Sequence, residues 1–217
     1  PSEPYLRVLM ERDLDALRTF DADPESTRFL QWNDKGDAET RAFLARATST
    51  PDWRFFGLSS PGGALLAWGE LKPLAPEEVP PIMAGAAHPR GLTYATIPGH
   101  RGRGYGKRLM DRLYEVAAAQ ADCDGLVVRV DSDNAASLKT IQGAASWGSG
   151  WTEIDSEPYL LKGKPRTRRV FIRQFGWPAL SGPPPSASPA ECFSAREAVL
   201  FHPPGEGGLG VWRFAPP

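Results

Sequence analysis

Thr96-Ile97-Pro98-Gly99-His100-Arg101-Gly102-Arg103-Gly104-Tyr105-Gly106-Lys107-Arg108-Leu109 packs four glycines and four cations into fourteen residues. Glycines at 99, 102, 104 and 106 let the backbone approach a ligand closely and take positive φ. The stretch lies between an apolar run, Leu92–Ile97, and a helical pattern from Tyr105 to Gln120 with Leu109, Leu113, Val116 and Ala117 on one face. Unpaired N–H groups and the helix dipole at such a junction favour an anion, and Arg101, Arg103, Lys107 and Arg108 add charge of the right sign. A phosphate-bearing ligand is the natural reading.

Several designs compete for that reading. The G-x-x-x-x-G-K-[ST] loop fails, because Arg101 stands where its first glycine belongs and Arg108 replaces its Ser or Thr. The dinucleotide fingerprint is closer. Gly102 and Gly104 supply two of its glycines and Asp131 ends the next strand, but Lys107 occupies the third glycine position and no repeated βα units surround it. A glycine-rich turn with solvated arginines is the bland alternative. The arginine-x-x-glycine-x-glycine loop is matched in full by Arg101, Gly104 and Gly106.

A second motif follows. The best strand pattern in the chain, Gly125–Val130, leads into Asp131-Ser132-Asp133-Asn134-Ala135-Ala136-Ser137, where Asn134 opens a short helix running to about Ala145. Asn134 suits a helix cap, and its amide has groups left over for a ligand amide.

With these two motifs in this order, the chain resembles the GCN5-related N-acetyltransferase (GNAT) superfamily over roughly residues 5–175. The resemblance implies an α/β (α+β) fold, a mixed, mostly antiparallel twisted sheet flanked by helices. It implies acetyl-CoA as cosubstrate, with Arg101, Gly102, Arg103, Gly104, Tyr105, Gly106 and Lys107 around its pyrophosphate and Asn134 and Ser137 beside its pantetheine arm. It implies a bulge at Thr96-Ile97-Pro98 that splays this strand from the next, the N–H groups of Thr96 and Ile97 serving as oxyanion donors. Glu70, in the strand stretch Trp68-Gly69-Glu70-Leu71, is the best-placed candidate base, although a solvated strand carboxylate explains it equally well. Family members often carry a tyrosine four residues after the motif serine, as acid for the leaving thiolate; here that position is Ile141. Either water, Ser137, or another tyrosine such as Tyr94 or Tyr159 then fills the role, or the modest pKa of the free thiol makes an acid unnecessary. A non-catalytic acyl-CoA sensor of the same fold is the second hypothesis, and a dinucleotide-binding domain a remote third.

The rest of the chain is consistent with a mixed sheet. Tyr5–Leu9 reads as a strand, Glu11–Phe20 and Ala38–Ala47 as helices, Trp53–Ser59 and Ala64–Leu71 as a hairpin about Ser60-Pro61-Gly62-Gly63, Pro73–Pro89 as a loop, and Arg168–Phe175 as a last strand. The basic run Lys162–Arg169 is expected to be a loop rather than a nucleic-acid arm. His100 is expected at the solvent or the cofactor. Trp147 and Trp151 are candidates for the acceptor wall or the core, and Glu77, Glu78 and Asp155 for attracting a cationic amine or solubilising loops. The acceptor itself, a small molecule or peptide with a primary amine, is not legible.

Composition bounds these readings. The 217 residues are 41% hydrophobic and 24% charged with a net charge of −1, which suits one large globular domain and offers nucleic acid or anionic membrane no global attraction. Residues 91–175 hold 13 Lys and Arg against 9 Asp and Glu, so the positive excess coincides with the glycine loop. Two cysteines form no staple framework and no zinc spacing, and no metal is expected. No apolar run is long enough to span a bilayer and the first residues lack signal-peptide character, so a cytoplasmic protein is expected. Residues 1–175 are read as the domain. The Pro- and Gly-rich extension 176–217 is expected to form an ordered hairpin from Ala198–His202 and Leu209–Phe214, packed on the domain or on the second subunit of a homodimer.

Overall fold

The computed structural model describes residues 3–32, 35–49, 52–175, 199–201 and 212–214. A seven-stranded sheet forms its frame. In chain order the strands are β1 (Tyr5–Val8), β2 (Arg54–Ser59), β3 (Leu65–Pro73), β4 (Pro89–Thr96), β5 (Gly125–Asp131), β6 (Thr152–Leu161) and β7 (Lys164–Gln174). They lie side by side as β1-β2-β3-β4-β5-β7-β6, and only β4 and β5 run parallel. That one parallel pair needs a crossover, supplied by the helix α4 (Tyr105–Ala118). The other helices are α1 (Leu14–Ala22), α2 (Pro24–Thr27), α3 (Gly36–Ser49) and α5 (Ala135–Gln142). An order with a single parallel pair is not the doubly wound sheet of a dinucleotide-binding domain.

Alternation along the strands sorts the core into layers. On one face Ala67, Leu71, Leu92, Leu126, Val128, Val130 and Phe171 pack with Leu109, Met110 and Leu113 of α4 and Ile141 of α5. On the other, Leu65, Trp68 and Ile97 meet Leu14, Leu17 and Phe20 of α1 and Phe43 and Leu44 of α3, with Trp68 edge-on to Phe20 and Phe43. Further along that face, Val127, Val170 and Ile172 are covered by Met83 and its neighbours from the loop after β3. Gly69 sets how closely α4 approaches: a Cβ there would stand 2.6 Å from Thr93 O and 2.8 Å from Leu113 Cδ1. Next to the first strand, Arg7 donates twice to Asp13, both at 2.6 Å, and ties β1 to the turn that begins α1.

Three expectations need correcting. β6 has no counterpart in the sequence reading, because Glu153, Asp155, Ser156, Glu157 and Pro158 mask it; it is the sheet's edge strand, where polar residues and an irregularity between Ile154 and Glu157 are tolerated. The basic run is not a loop beyond its first two residues. Lys162 and Gly163 both take positive φ, 51° and 75°, as a two-residue hairpin turn requires, and β7 starts at Lys164. Its three arginines have acidic partners from other strands: Arg166 with Asp131, Arg168 with Glu157, Arg169 with Glu153. Finally, β4 pairs with β3 without a register shift from Ala67/Thr96 to Pro73/Arg90, so Thr96-Ile97-Pro98 forms no bulge against β3.

In the extension, Val199–Phe201 (β8) pairs antiparallel with Trp212–Phe214 (β9). How that pair sits on the domain or on a second subunit lies outside the described residues.

Candidate cofactor cleft and acceptor face

β4 and β5 are joined only at Pro89/Gly125, Arg90/Leu126 and Gly91/Val127, and beyond these they part. Ile97 N–H donates to Leu66 C=O at 3.0 Å, on the β3 side. Since amide groups alternate along an antiparallel strand, those of Tyr94 and Thr96 face the opposite way, toward the opening beside β5. The structure therefore separates the two expected oxyanion donors. Thr96 N–H faces the gap, whereas Ile97 N–H is committed and its side chain is buried in the α1/α3 layer.

The glycine loop stands at the mouth of this gap. Gly102 and Gly104 take φ of 73° and 79°, and nothing lies within 4 Å of where their side chains would be. Gly104 is the N-cap of α4 and provides no side-chain cap; the first intrahelical bond runs from Arg108 N to Gly104 O at 3.1 Å. The N–H groups of Tyr105, Gly106 and Lys107 are thus left with no partner within the helix, the arrangement that favours a bound phosphate. Gly106 is buried, its Cβ position 3.2 Å from Thr96 Oγ1 and 3.3 Å from Thr140 Cγ2, so the start of α4 is pressed between β4 and α5. An open, uncapped helix start beside a split between parallel strands fits the diphosphate and arm of an acyl-CoA-type cofactor.

The loop's side chains are placed unequally. Arg103 is exposed with no partner among the described residues. Lys107 lies over Gly143 at the end of α5. Arg101 is held elsewhere, donating to the Asp23 carboxylate and to Ser26 Oγ at the start of α2. Burial alone would raise the Asp23 carboxyl, but the bonds from Ser26 and Arg101 outweigh it and hold the group below its ordinary range. His100 turns its ring edge toward Tyr105, and its Nδ1 is buried without a hydrogen-bond partner.

Asn134 caps α5, its Oδ1 accepting from Ser137 N at 3.1 Å. Ser137 meets Tyr94 of β4: the phenol donates to Ser137 C=O at 2.9 Å and lies 2.7 Å from its Oγ. Burial pushes the Tyr94 hydroxyl well above its usual value, more than the Ser137 contact lowers it, so it keeps its proton. Ile141 is fully buried in the core. Of the two tyrosines named as substitutes for an acid, the structure brings Tyr94 to the motif serine and Tyr159 to the opposite face.

That opposite face carries a polar row between its two apolar layers. Glu70, paired with Thr93 across β3 and β4, accepts from Trp53 Nε1 at 2.8 Å. Lys35 stands over the rings of Trp32 (3.6 Å) and Phe43 (4.9 Å), and burial lowers its pKa against the pull of Asp21. Asp21 itself accepts from Trp32 Nε1 and Thr40 Oγ1. Arg129 and Asp131 of β5 continue the row, paired across β7 with Val170 and Arg168. Asp131 accepts from Tyr159 at 2.6 Å, from Arg166 at 2.7 and 3.0 Å, and from Asp133 N at 2.9 Å. Burial would raise this carboxyl, and these donors together hold it low. So engaged, Asp131 does not stand free as a ribose-binding acid would. Above the row, Gln31 donates to Leu160 C=O and Lys162 to Thr27 C=O, joining α2 and the segment after it to the β6–β7 hairpin.

Other candidates settle into structural places. Trp151 is buried and Trp147 packs edge-on against Phe171, both in the α4 layer and away from the polar row. Glu78 accepts from Lys72 near the end of β3 and from Ala75 N in its own loop, so it is already engaged. Sequence reasoning missed Lys35, Trp53 and the Arg129–Glu157–Arg168 group. The signal for Arg129 and Asp131 was present, as polar residues two apart in an otherwise apolar strand.

Residues 5–144 match the family described as Acetyltransferase (GNAT) domain. No curated protein matches the chain. Among solved structures the fold is similar to spermidine N-acetyltransferase from Vibrio cholerae in complex with CoA and spermine, at 14% identity and TM-score 0.64 over 80% of this chain and 96% of that one. It is also similar to a GNAT-family acetyltransferase from Bacillus anthracis, with 10% identity, TM-score 0.65, and coverage of 80% and 95%. For ribosomal-protein-alanine N-acetyltransferase from Brucella melitensis the values are 19%, 0.62, 79% and 99%.

Proposed function

This chain belongs to the GNAT acetyltransferase family, and on that premise we propose that it transfers the acetyl group of acetyl-CoA directly to a primary amine of a small molecule or peptide. The observation that carries the reading is the opening between β4 and β5 beside the glycine-led, uncapped start of α4. Acetyl-CoA supplies an activated thioester carbonyl when bound. Tyr105, Gly106 and Lys107 offer backbone N–H groups to its diphosphate, and Asn134 has a side-chain NH₂ to spare for the arm. Thr96 N–H is the donor for the carbonyl oxygen as it gains charge.

Glu70 is the candidate base. Trp53 fixes one of its oxygens, and Glu70 faces the acceptor side of the same opening. There it takes the proton an attacking amine must lose, directly or through water. Tyr94 with Ser137 is placed to hold a proton for the departing thiolate, the duty that Ile141 cannot perform.

A thermal-shift comparison of acetyl-CoA, free CoA and NAD tests the cofactor reading; stabilisation by NAD and not by CoA overturns it. Thiol release across a broad amine panel tests the transfer. The buried Ile141 is the one observation favouring a non-catalytic sensor, and CoA binding with no turnover on any amine would select that reading.

A further inference from the structure

We infer that the acceptor is an amine that also bears a carboxylate, an amino-acid-like zwitterion, and that Arg168 is the residue that reads the carboxylate. This rests on the transfer reading above and narrows its substrate class.

Two arginines on the acceptor face share one counter-ion. Glu157 Oε1 accepts from Arg129 Nε at 2.7 Å and from Arg168 Nε at 2.5 Å. Arg129 spends a further N–H on Glu78 C=O in the loop above it. Arg168 has no such second acceptor: among the described residues its two terminal nitrogens bond nothing. The neighbouring carboxylate does not help, since Asp131 is already filled by Arg166, Tyr159 and Asp133 N. Burial lowers the Arg168 pKa, against the attraction of Glu157. An additional anion would relieve that cost.

The guanidinium is also oriented. It stands 5.1 Å over the Tyr159 ring, its Nε is pinned by Glu157, and 34% of the side chain remains exposed. A planar fork with both terminal NH₂ groups free and a fixed plane is what bidentate capture of a carboxylate needs. On the far side of the opening, Glu70 is a carboxylate suited to an ammonium or its proton. By sign of charge a zwitterion complements both groups, which stand on strands three places apart in the sheet. A polyamine would instead set a second cation against Arg168.

The test uses the full chain with acetyl-CoA and each common L-amino acid paired with its decarboxylated amine, with spermidine as the polycation. The expected result is that, for the accepted side chain, the carboxylate-bearing partner is favoured about 10- to 100-fold in kcat/KM, the range of a charged hydrogen-bond pair. Arg168→Gln should erase that ratio through the KM of the acceptor, leaving the KM of acetyl-CoA unchanged. Should Arg168→Gln fail to fold, Arg168→Lys keeps the charge beside Glu157 but lacks the fork, and should lose most of the preference. Preference for decarboxylated amines or spermidine, or an unchanged ratio in a folded variant, overturns the inference while leaving acetyl transfer intact. A readout independent of turnover is saturation-transfer NMR on the CoA-loaded protein, with N-acetylglycine against N-methylacetamide. Contact with the first alone, lost in the variant, is expected; equal or absent contact for both overturns the inference.

Discussion

The Tyr94 hydroxyl of β4 crosses to α5 and donates to the Ser137 carbonyl, 2.9 Å away, with Ser137 Oγ at 2.7 Å. The bond spans the α4/α5 side of the sheet, just where the backbone amides of β4 turn toward the gap beside β5. Two hydroxyls are thereby gathered at the motif serine, while the position that usually carries a tyrosine is a buried isoleucine.

If this pair holds the proton for the thiolate, Tyr94→Phe should lower kcat by about 100-fold, the lower end for a positioned acid. The lost hydrogen bond should cost about 1 kcal/mol of stability. Tyr159→Phe, on the other face, should leave the pH dependence of kcat as in the wild type. Rapid-quench rates and urea melts of both variants decide the matter; equal kcat losses would remove Tyr94 from the role.

Gly104 caps α4 at a φ of 79°. Gly104→Ala should cost about 1–2 kcal/mol from the left-handed backbone alone. Gly104→Glu should in addition abolish the thermal shift on adding CoA, because a carboxylate would occupy the anion's place. Circular dichroism confirms the fold, and an unchanged CoA affinity would show that this loop does not hold the cofactor.

Arg101 is tied to Asp23 and Ser26 rather than directed at the loop's open side. Asp23→Ala removes the cap that accepts from Ser26 N and should cost about 1 kcal/mol. It also frees Arg101 to meet a phosphate, so CoA should bind more tightly, most visibly at low salt. Calorimetric titration at two ionic strengths reads the change; weaker binding would mean that the ion pair itself shapes the site.

Gly69 lies under α4 with no room for a methyl group. Gly69→Ala should destabilise the protein by about 1–3 kcal/mol through overpacking. The urea midpoint should fall without loss of secondary structure. A midpoint equal to the wild type would mean that α4 shifts freely.

Asp131 is held below its ordinary pKa by Arg166, Tyr159 and Asp133 N against the opposing effect of burial. A carboxyl with a depressed folded pKa stabilises the fold fully above its unfolded value, near 3.8, and the contribution fades as pH falls through the folded value. Asp131→Ala should therefore cost about 3 kcal/mol at neutral pH. The gap to wild type should narrow below about pH 4. A gap independent of pH would assign the loss to packing instead.

Much of this molecule was legible before folding. The glycine loop, the strand Gly125–Val130 and the helix with Leu109 and Leu113 are local patterns, set by φ requirements and by hydrophobic period, and a chain carries these in consecutive residues. So is the N-cap at Asn134, which depends on a side chain reaching its own backbone. The edge strand β6 was not legible, because an edge strand buries little and need not advertise itself. Nor was the partner of any cation. Arg101 met Asp23 and Ser26, Arg166 met Asp131, and Arg129 and Arg168 met one glutamate, all across distances that sequence order does not encode. Which amide of β4 faces the gap followed from the register with β3, a property of the pair of strands. Sequence alone determined the family and the glycine-led start of α4, because both rest on short-range geometry. The tertiary structure decided which charges are already paired and which, like the outer nitrogens of Arg168, have no partner among the described residues, because charge pairing is a matter of strands brought side by side.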